Sequence, residues 1–261
     1  MTHPSLRQFL LTPPQDWAQA RTFGLPLALM AWQLDGQGRL THAPLPPQAQ
    51  GGLMLVGASP DLSPAADPRP GAREILAQCR SRGFAGVVLD LEQPPTPYLA
   101  QLIRLVEEGL AQRQGGLFLP EAYANFSRRA GLYLTSALSG GSLRRRLEEA
   151  VAQYGARRLV LCLRRAREDF YLPAAKGVGH PISQGELERL RRQLEPSVFF
   201  SPDLCARYFT YMSRETGAHF VLFDDGETLA KKRALALELG ITRFFLLYPE
   251  VEEWLPQLLG A

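Results

Sequence analysis

Short apolar runs recur along the chain at residues 9–11, 25–32, 53–56, 84–91, 117–119, 131–134, 159–163 and 244–248. Each is too short for a buried helix and is rich in Val, Leu and Phe, which predicts eight strands. Between many of them the apolar positions fall instead at helical spacing, over residues 72–82, 98–112, 143–154, 186–194 and 229–239. Strands alternating with helices predict an α/β fold with a parallel sheet, and eight such units predict a closed (β/α)8 or TIM barrel. The barrel is somewhat reduced. The second run passes to the third through Asp35-Gly36-Gln37-Gly38 and a Pro-rich loop with no helical pattern. A small insertion is expected between the seventh and eighth strands, over residues 197–225, holding Phe199, Phe200, Tyr208, Phe209, Tyr211 and the strand-like 219–223.

The fourth run ends in chemistry. Ala85-Gly86-Val87-Val88-Leu89-Asp90-Leu91-Glu92 is too apolar for a half-solvated strand until its last residues. Alternate side chains of a strand share a face, so Asp90 and Glu92 project together from its carboxyl end, where barrel enzymes place their active sites. The plainer reading is a pair of acids that close a strand and open a solvated loop.

Length and charge narrow the choices. A chain of 261 residues suits one barrel domain over 1–261, and the Pro-rich patches at 44–50 and 59–70 read as loops within it. The formal charge is +3, and the arginines at 144–146 and 189–192 alternate with Leu and Glu as solvated helix faces do, so no nucleic-acid partner is expected. Cys79, Cys162 and Cys205 cannot complete a set of disulfides and sit in apolar contexts, which points to buried thiols in a reducing compartment. No signal-peptide pattern opens the sequence and no run reaches membrane-spanning length, so a cytoplasmic protein is expected. His3, His42, His180 and His219 show no metal-ligand spacing, and Gly177-Val178-Gly179 lacks the context of a dinucleotide loop, so neither metal nor cofactor is expected.

The octamer 85–92 resembles the fourth-strand motif D-G-x-D-x-D-x-E of glycoside hydrolase family 18, the chitinase-like barrels, keeping the final Asp and Glu. The similarity is nearest to the branch of spore-cortex and peptidoglycan N-acetylglucosaminidases. Residues 29–40 are similar to that branch's second strand and turn, and Asp169-Phe170-Tyr171-Leu172-Pro173 to its D-W-x-L-P segment. Tyr208-Phe209-Thr210-Tyr211 with 219–225 is similar to its aromatic insertion, and 240–248 to its eighth strand.

The resemblance implies Glu92 as general acid and Asp90 as the group that orients the substrate's N-acetyl arm, whose oxygen is the nucleophile. It implies a glycan partner, an N-acetylglucosamine polymer or a small sugar, and a spore setting. It also places the family's inner Asp at Val88, its sixth-strand Tyr at Ser136 within Leu134-Thr135-Ser136-Ala137, and its eighth-strand Trp near Leu247 beside Tyr248. A lapsed enzyme that binds a glycan or a protein is the alternative these departures imply.

Other residues stay open on the sequence alone. Glu121, after Pro120, either approaches Glu92 as a second carboxylate or simply opens a helix, where negative charge is favourable. Asp224, with Asp225, either binds sugar hydroxyls or begins the turn at Gly226. Of the inserted aromatics, Tyr211 and Tyr208 are the better candidates for ligand contact, the phenylalanines for core.

Overall fold

The computed structural model describes residues 6–172 and 179–260, so His3, Pro173, Gly177 and Val178 of the motifs above lie outside the described residues. The chain divides into two compact units, one of Met1–Leu134, Arg157–Cys162 and Thr242–Pro249, the other of Thr135–Ala156, Leu163–Ile241 and Glu250–Ala261.

The first unit is built on a closed barrel. Its strands are β1 (Arg7–Thr12), β2 (Leu27–Leu34), β4 (Leu53–Ala58), β5 (Gly86–Asp90), β6 (Gly116–Pro120), β7 (Gly131–Thr135), β8 (Leu159–Leu163) and β14 (Arg243–Leu247). They run in the order β1-β14-β8-β7-β6-β5-β4-β2, and β1 pairs with β2 to close the ring. Parallel registers such as Leu10 with Leu246, Val56 with Leu89 and Val88 with Phe118 align the strand ends. The predicted eight-stranded TIM barrel is therefore present.

The reduced unit is present too, because β2 turns back into a short antiparallel strand, β3 (Leu40–His42), instead of a helix. Asp35 makes that reversal: its carboxylate accepts from the backbone N–H of Gln37 and of Arg39, each at 2.9 Å.

Period-2 alternation decides which side chains enter the barrel. Leu11, Ala28, Leu53, Leu55, Val88, Val160, Cys162 and Phe245 pack together, with Phe9, Met30, Phe118, Tyr133 and Leu247 against them. The intervening residues, among them Leu29, Met54, Leu89, Leu132 and Leu246, are also buried. Burial on both faces explains why these strands read as unbroken apolar runs. Short helix α1 (Trp17–Ala20) follows β1; α2 (Pro68–Ser81) and α3 (Pro97–Ala111) follow β4 and β5. Asp67 and Thr96 cap α2 and α3 through their side chains, and prolines occupy the first turns, where a missing N–H is harmless.

The second unit holds α4 (Leu143–Tyr154) and a five-stranded antiparallel sheet. Its strands are β9 (Arg167–Leu172), β10 (His180–Pro181), β11 (Phe199–Ser201), β12 (Ala206–Ser213) and β13 (Gly217–Phe223), in the order β10-β9-β13-β12-β11. The aromatic segment 197–225 thus supplies three of these strands, and β9 and β10 come from before it. Helix α5 (Gln184–Leu194) lays Leu187 and Leu190 against Phe209, Val221 and Phe223 on one face. Helix α6 (Gly226–Glu238) and, at the carboxyl end, α8 (Leu255–Leu259) complete the unit, while α7 (Tyr248–Val251) follows β14.

Glu195 ends α5 in the left-handed region, at φ 41° and ψ 48°, where a side chain is strained. Replacing this exposed residue, Glu195→Gly, should raise stability by about 1 kcal/mol, read as a higher midpoint in urea denaturation.

Among the described residues no helix is long and apolar enough to cross a membrane, and no group of three or more His, Cys, Asp or Glu could hold a metal. The three cysteines are free and buried.

Candidate active site

Strand β5 carries Val88 into the barrel, and two residues later Asp90 reaches the carboxyl end of the same face. Asp90 is held there. From β7, the Tyr133 hydroxyl donates to Asp90 Oδ1 at 2.7 Å and lies 3.4 Å from the Leu89 carbonyl oxygen. Burial, followed by the charge and hydrogen bond of Asp90, holds the Tyr133 phenol well above its ordinary range. It therefore stays protonated and keeps donating at neutral pH.

Glu92 lies just past the strand end and is exposed. Its charge is felt at Tyr133, yet it has no hydrogen-bond or ion-pair partner among the described residues. The loop that carries it is fixed by the next residue. Gln93 Nε2 donates to the carbonyl oxygens of Ala58 and Ser59, at 3.0 and 2.6 Å, and the Gln93 carbonyl accepts from the Tyr123 hydroxyl at 2.6 Å. A solvent-facing carboxylate on a braced loop, beside an immobilised carboxylate and a phenol, has the parts for proton delivery and for orienting a polar substrate group.

Tyr133 is not among the residues singled out from the sequence: β7 spans Gly131–Thr135 and its inward aromatic is Tyr133, three residues before Ser136, where the resemblance places a tyrosine. Ser136 lies beyond the strand and is fully buried. Its hydroxyl donates to the Arg164 carbonyl and accepts from the Arg164 N–H, both at 3.2 Å, so it straps two backbone segments of the second unit. The signal for Tyr133 was parity: Gly131, Tyr133 and Thr135 share one strand face.

The remaining candidates are dispersed. Glu121 opens a 3₁₀ turn, Glu121–Phe126, directly after β6 and is half-buried in the barrel unit. Tyr248 is 1% exposed, its ring centroid 6.0 Å from that of Phe23, while Leu247 is the residue that packs against the barrel interior.

In the second unit Tyr211 donates to Asp169 Oδ2 at 3.0 Å and stacks on His219 with centroids 4.3 Å apart. His219 Nδ1 lies 2.9 Å from the same carboxylate oxygen. Asp224 is also enclosed, receiving hydrogen bonds from Lys232 Nζ at 2.6 Å, the Ala166 N–H at 2.7 Å and the Thr228 hydroxyl at 2.8 Å. Both of its oxygens are committed to internal donors. The structure thus brings Asp90 together with Tyr133, where the charge of Glu92 is also felt, and gives Ser136, Tyr211 and Asp224 internal partners.

The arrangement defines a TIM barrel with a carboxylate and phenol group at the carboxyl end of its strands. No protein-family model matches the sequence, and no curated protein matches it significantly. Solved structures do match the fold. The spore cortex-lytic enzyme SleL of Bacillus megaterium QM B1551 superimposes with a TM-score of 0.67 at 16% identity, over 93% of this chain and 71% of that one. A chitinase from Chromobacterium violaceum ATCC 12472 gives 0.69 at 14% identity, over 91% and 93%. A class V chitinase mutant from Cycas revoluta, in complex with (GlcNAc)3, gives 0.64 at 14% identity, over 97% and 98%. These TM-scores establish a shared fold.

Proposed function

We propose that this chain is a glycoside hydrolase of the chitinase-like kind, acting on glycans that contain N-acetylglucosamine, with Glu92 as general acid. The observation that carries the reading is the hydrogen bond from Tyr133 to Asp90 next to a Glu92 without a partner. Glu92 gives its proton to the glycosidic oxygen as the bond to C1 breaks, and the acetamido oxygen of the same sugar bonds to C1 in its place. Asp90, fixed by Tyr133, accepts the acetamido N–H and holds that arm in line. The Glu92 carboxylate then takes a proton from the water that reopens the ring. The chitinases and the cortex-lytic enzyme that share the fold support this substrate class, and the second of these names a spore setting.

The lumen favours one rival. Val88 and Leu247 offer no proton and no flat ring at the positions where the resemblance expects an Asp and a Trp, as a barrel that binds a glycan without cleaving it would allow.

Release of a chromophore from N-acetylglucosaminide oligomers separates the two readings. The wild type is expected to turn over, and Tyr133→Phe to lower kcat by about 10²-fold, the effect of removing one positioned donor, with KM little changed. Tight calorimetric binding with no product after long incubation would establish the rival.

A further inference from the structure

The loops that leave β2, β4, β5 and β6 form a laced arc in the barrel unit. The Ser63 N–H bonds to the Gly36 carbonyl at 2.9 Å, Gln93 bonds to Ala58 and Ser59, and Tyr123 bonds to Gln93. Asp61 reaches back toward the β2 loop, since a Cβ added to Gly36 would lie 2.9 Å from its Oδ2. Over residues 35–39, 57–67, 90–96 and 120–127 this arc carries six carboxylates, Asp35, Asp61, Asp67, Asp90, Glu92 and Glu121, against Arg39 within it and Arg69 just beyond it. The chain as a whole is at +3, so charge is segregated against the average.

Two of the six are neutralised locally, Asp35 by Arg39 at 3.2 Å and Asp67 by Arg69 at 3.0 Å. Asp61, Asp90 and Glu92 have no basic partner within ion-pair distance among the described residues. Arg164 and Arg165, which follow β8, pair with Glu250 and Glu253 within the second unit.

A rim of one sign concentrates ligands of the other sign and repels its own. We infer that the site selects glycans by charge, taking neutral and cationic amino-sugar chains, as in partly N-deacetylated N-acetylglucosamine oligomers, and rejecting strands that carry lactyl or other carboxylates. The inference rests on the proposed glycan reading and adds the charge class of the substrate. It also tells between the two kinds of structural neighbour, favouring a chitin-like chain over an acidic peptidoglycan strand.

Calorimetric titration of the whole chain with three oligomers of equal length tests it: the N-acetylglucosamine oligomer, its partly N-deacetylated form, and a peptidoglycan fragment with free lactyl carboxylates. At about 0.01 M salt the deacetylated form should bind about tenfold more tightly than the neutral one, and the lactyl fragment about tenfold more weakly. The spread should close at about 1 M salt, where the screening length is only a few ångströms. Asp61→Asn should narrow it several-fold at low salt and leave the neutral oligomer unchanged. Equal affinities at low salt, tighter binding of the lactyl fragment, or a spread untouched by Asp61→Asn overturn the charge rule while leaving the glycan reading intact. Failure of all three to bind overturns both.

Discussion

On the proposed reading, Glu92→Gln is expected to lower turnover of N-acetylglucosaminide substrates by about 10²- to 10⁴-fold, or about 3–5 kcal/mol of transition-state stabilisation, the usual contribution of a positioned general acid. Glutamine keeps the size and hydrogen-bonding capacity of the side chain but has no acidic proton to deliver to the leaving oxygen. Substrate affinity should survive, because the orienting pair Asp90–Tyr133 is untouched. Folding stability should stay within about 0.5 kcal/mol, since an exposed side chain without partners holds nothing together. The companion variant Glu121→Gln distinguishes substrate-assisted chemistry from a two-carboxylate mechanism. If the acetamido arm is the nucleophile, Glu121→Gln retains most of the activity; if Glu121 is the second carboxylate, it falls as far as Glu92→Gln. Equal rates for wild type and Glu92→Gln would falsify the assignment of the acid.

The barrel was legible because parallel strands buried on both faces leave an unbroken apolar signature, and Phe84 to Leu89 or Leu159 to Leu163 show it plainly. Asp90 and Glu92 were legible for the complementary reason, as charge at the end of such a run. Tyr133 was not, because Leu132-Tyr133-Leu134 reads as core, and only the position of β7 in the ring shows its hydroxyl meeting a carboxylate from a strand more than forty residues earlier.

The sheet of the second unit was legible only in part. Arg167, Glu168 and Asp169 open β9 with three charged residues, contrary to strand preference, yet Asp169 is 5% exposed because His219 and Tyr211 satisfy it. Such pairing depends on partners 42 and 50 residues away, and no local pattern encodes it. Asp224-Asp225-Gly226 was legible only in part for the same reason. It resembles a turn and does cap α6 through Asp225, whose side chain accepts from the Thr228 N–H at 2.9 Å. The aspartate before it faces inward to a lysine two helical turns on.

That lysine gives the largest stability effect. Lys232 and Asp224 are both 0% exposed at the side chain, their charged atoms 2.6 Å apart. Removing one partner of a buried pair strands the other, so Lys232→Met should destabilise the protein by about 3–5 kcal/mol, read from urea denaturation. Burial, the largest influence, raises the Asp224 carboxyl above its ordinary value, and the Lys232 charge is the chief influence opposing it. Without the lysine the carboxyl rises further and takes up a proton in the folded state. A carboxyl raised on folding favours the folded state most below its unfolded value, and that advantage is lost as pH climbs through the folded value. The deficit of Lys232→Met should therefore be smaller near about pH 4, close to the ordinary carboxylate range, and grow toward neutrality. The double variant Asp224→Asn, Lys232→Met removes the stranded charge and should recover a large part of the loss, with little pH dependence remaining. A Lys232→Met protein as stable as wild type at neutral pH would mean that the Ala166 N–H and the Thr228 hydroxyl suffice to hold Asp224 ionised.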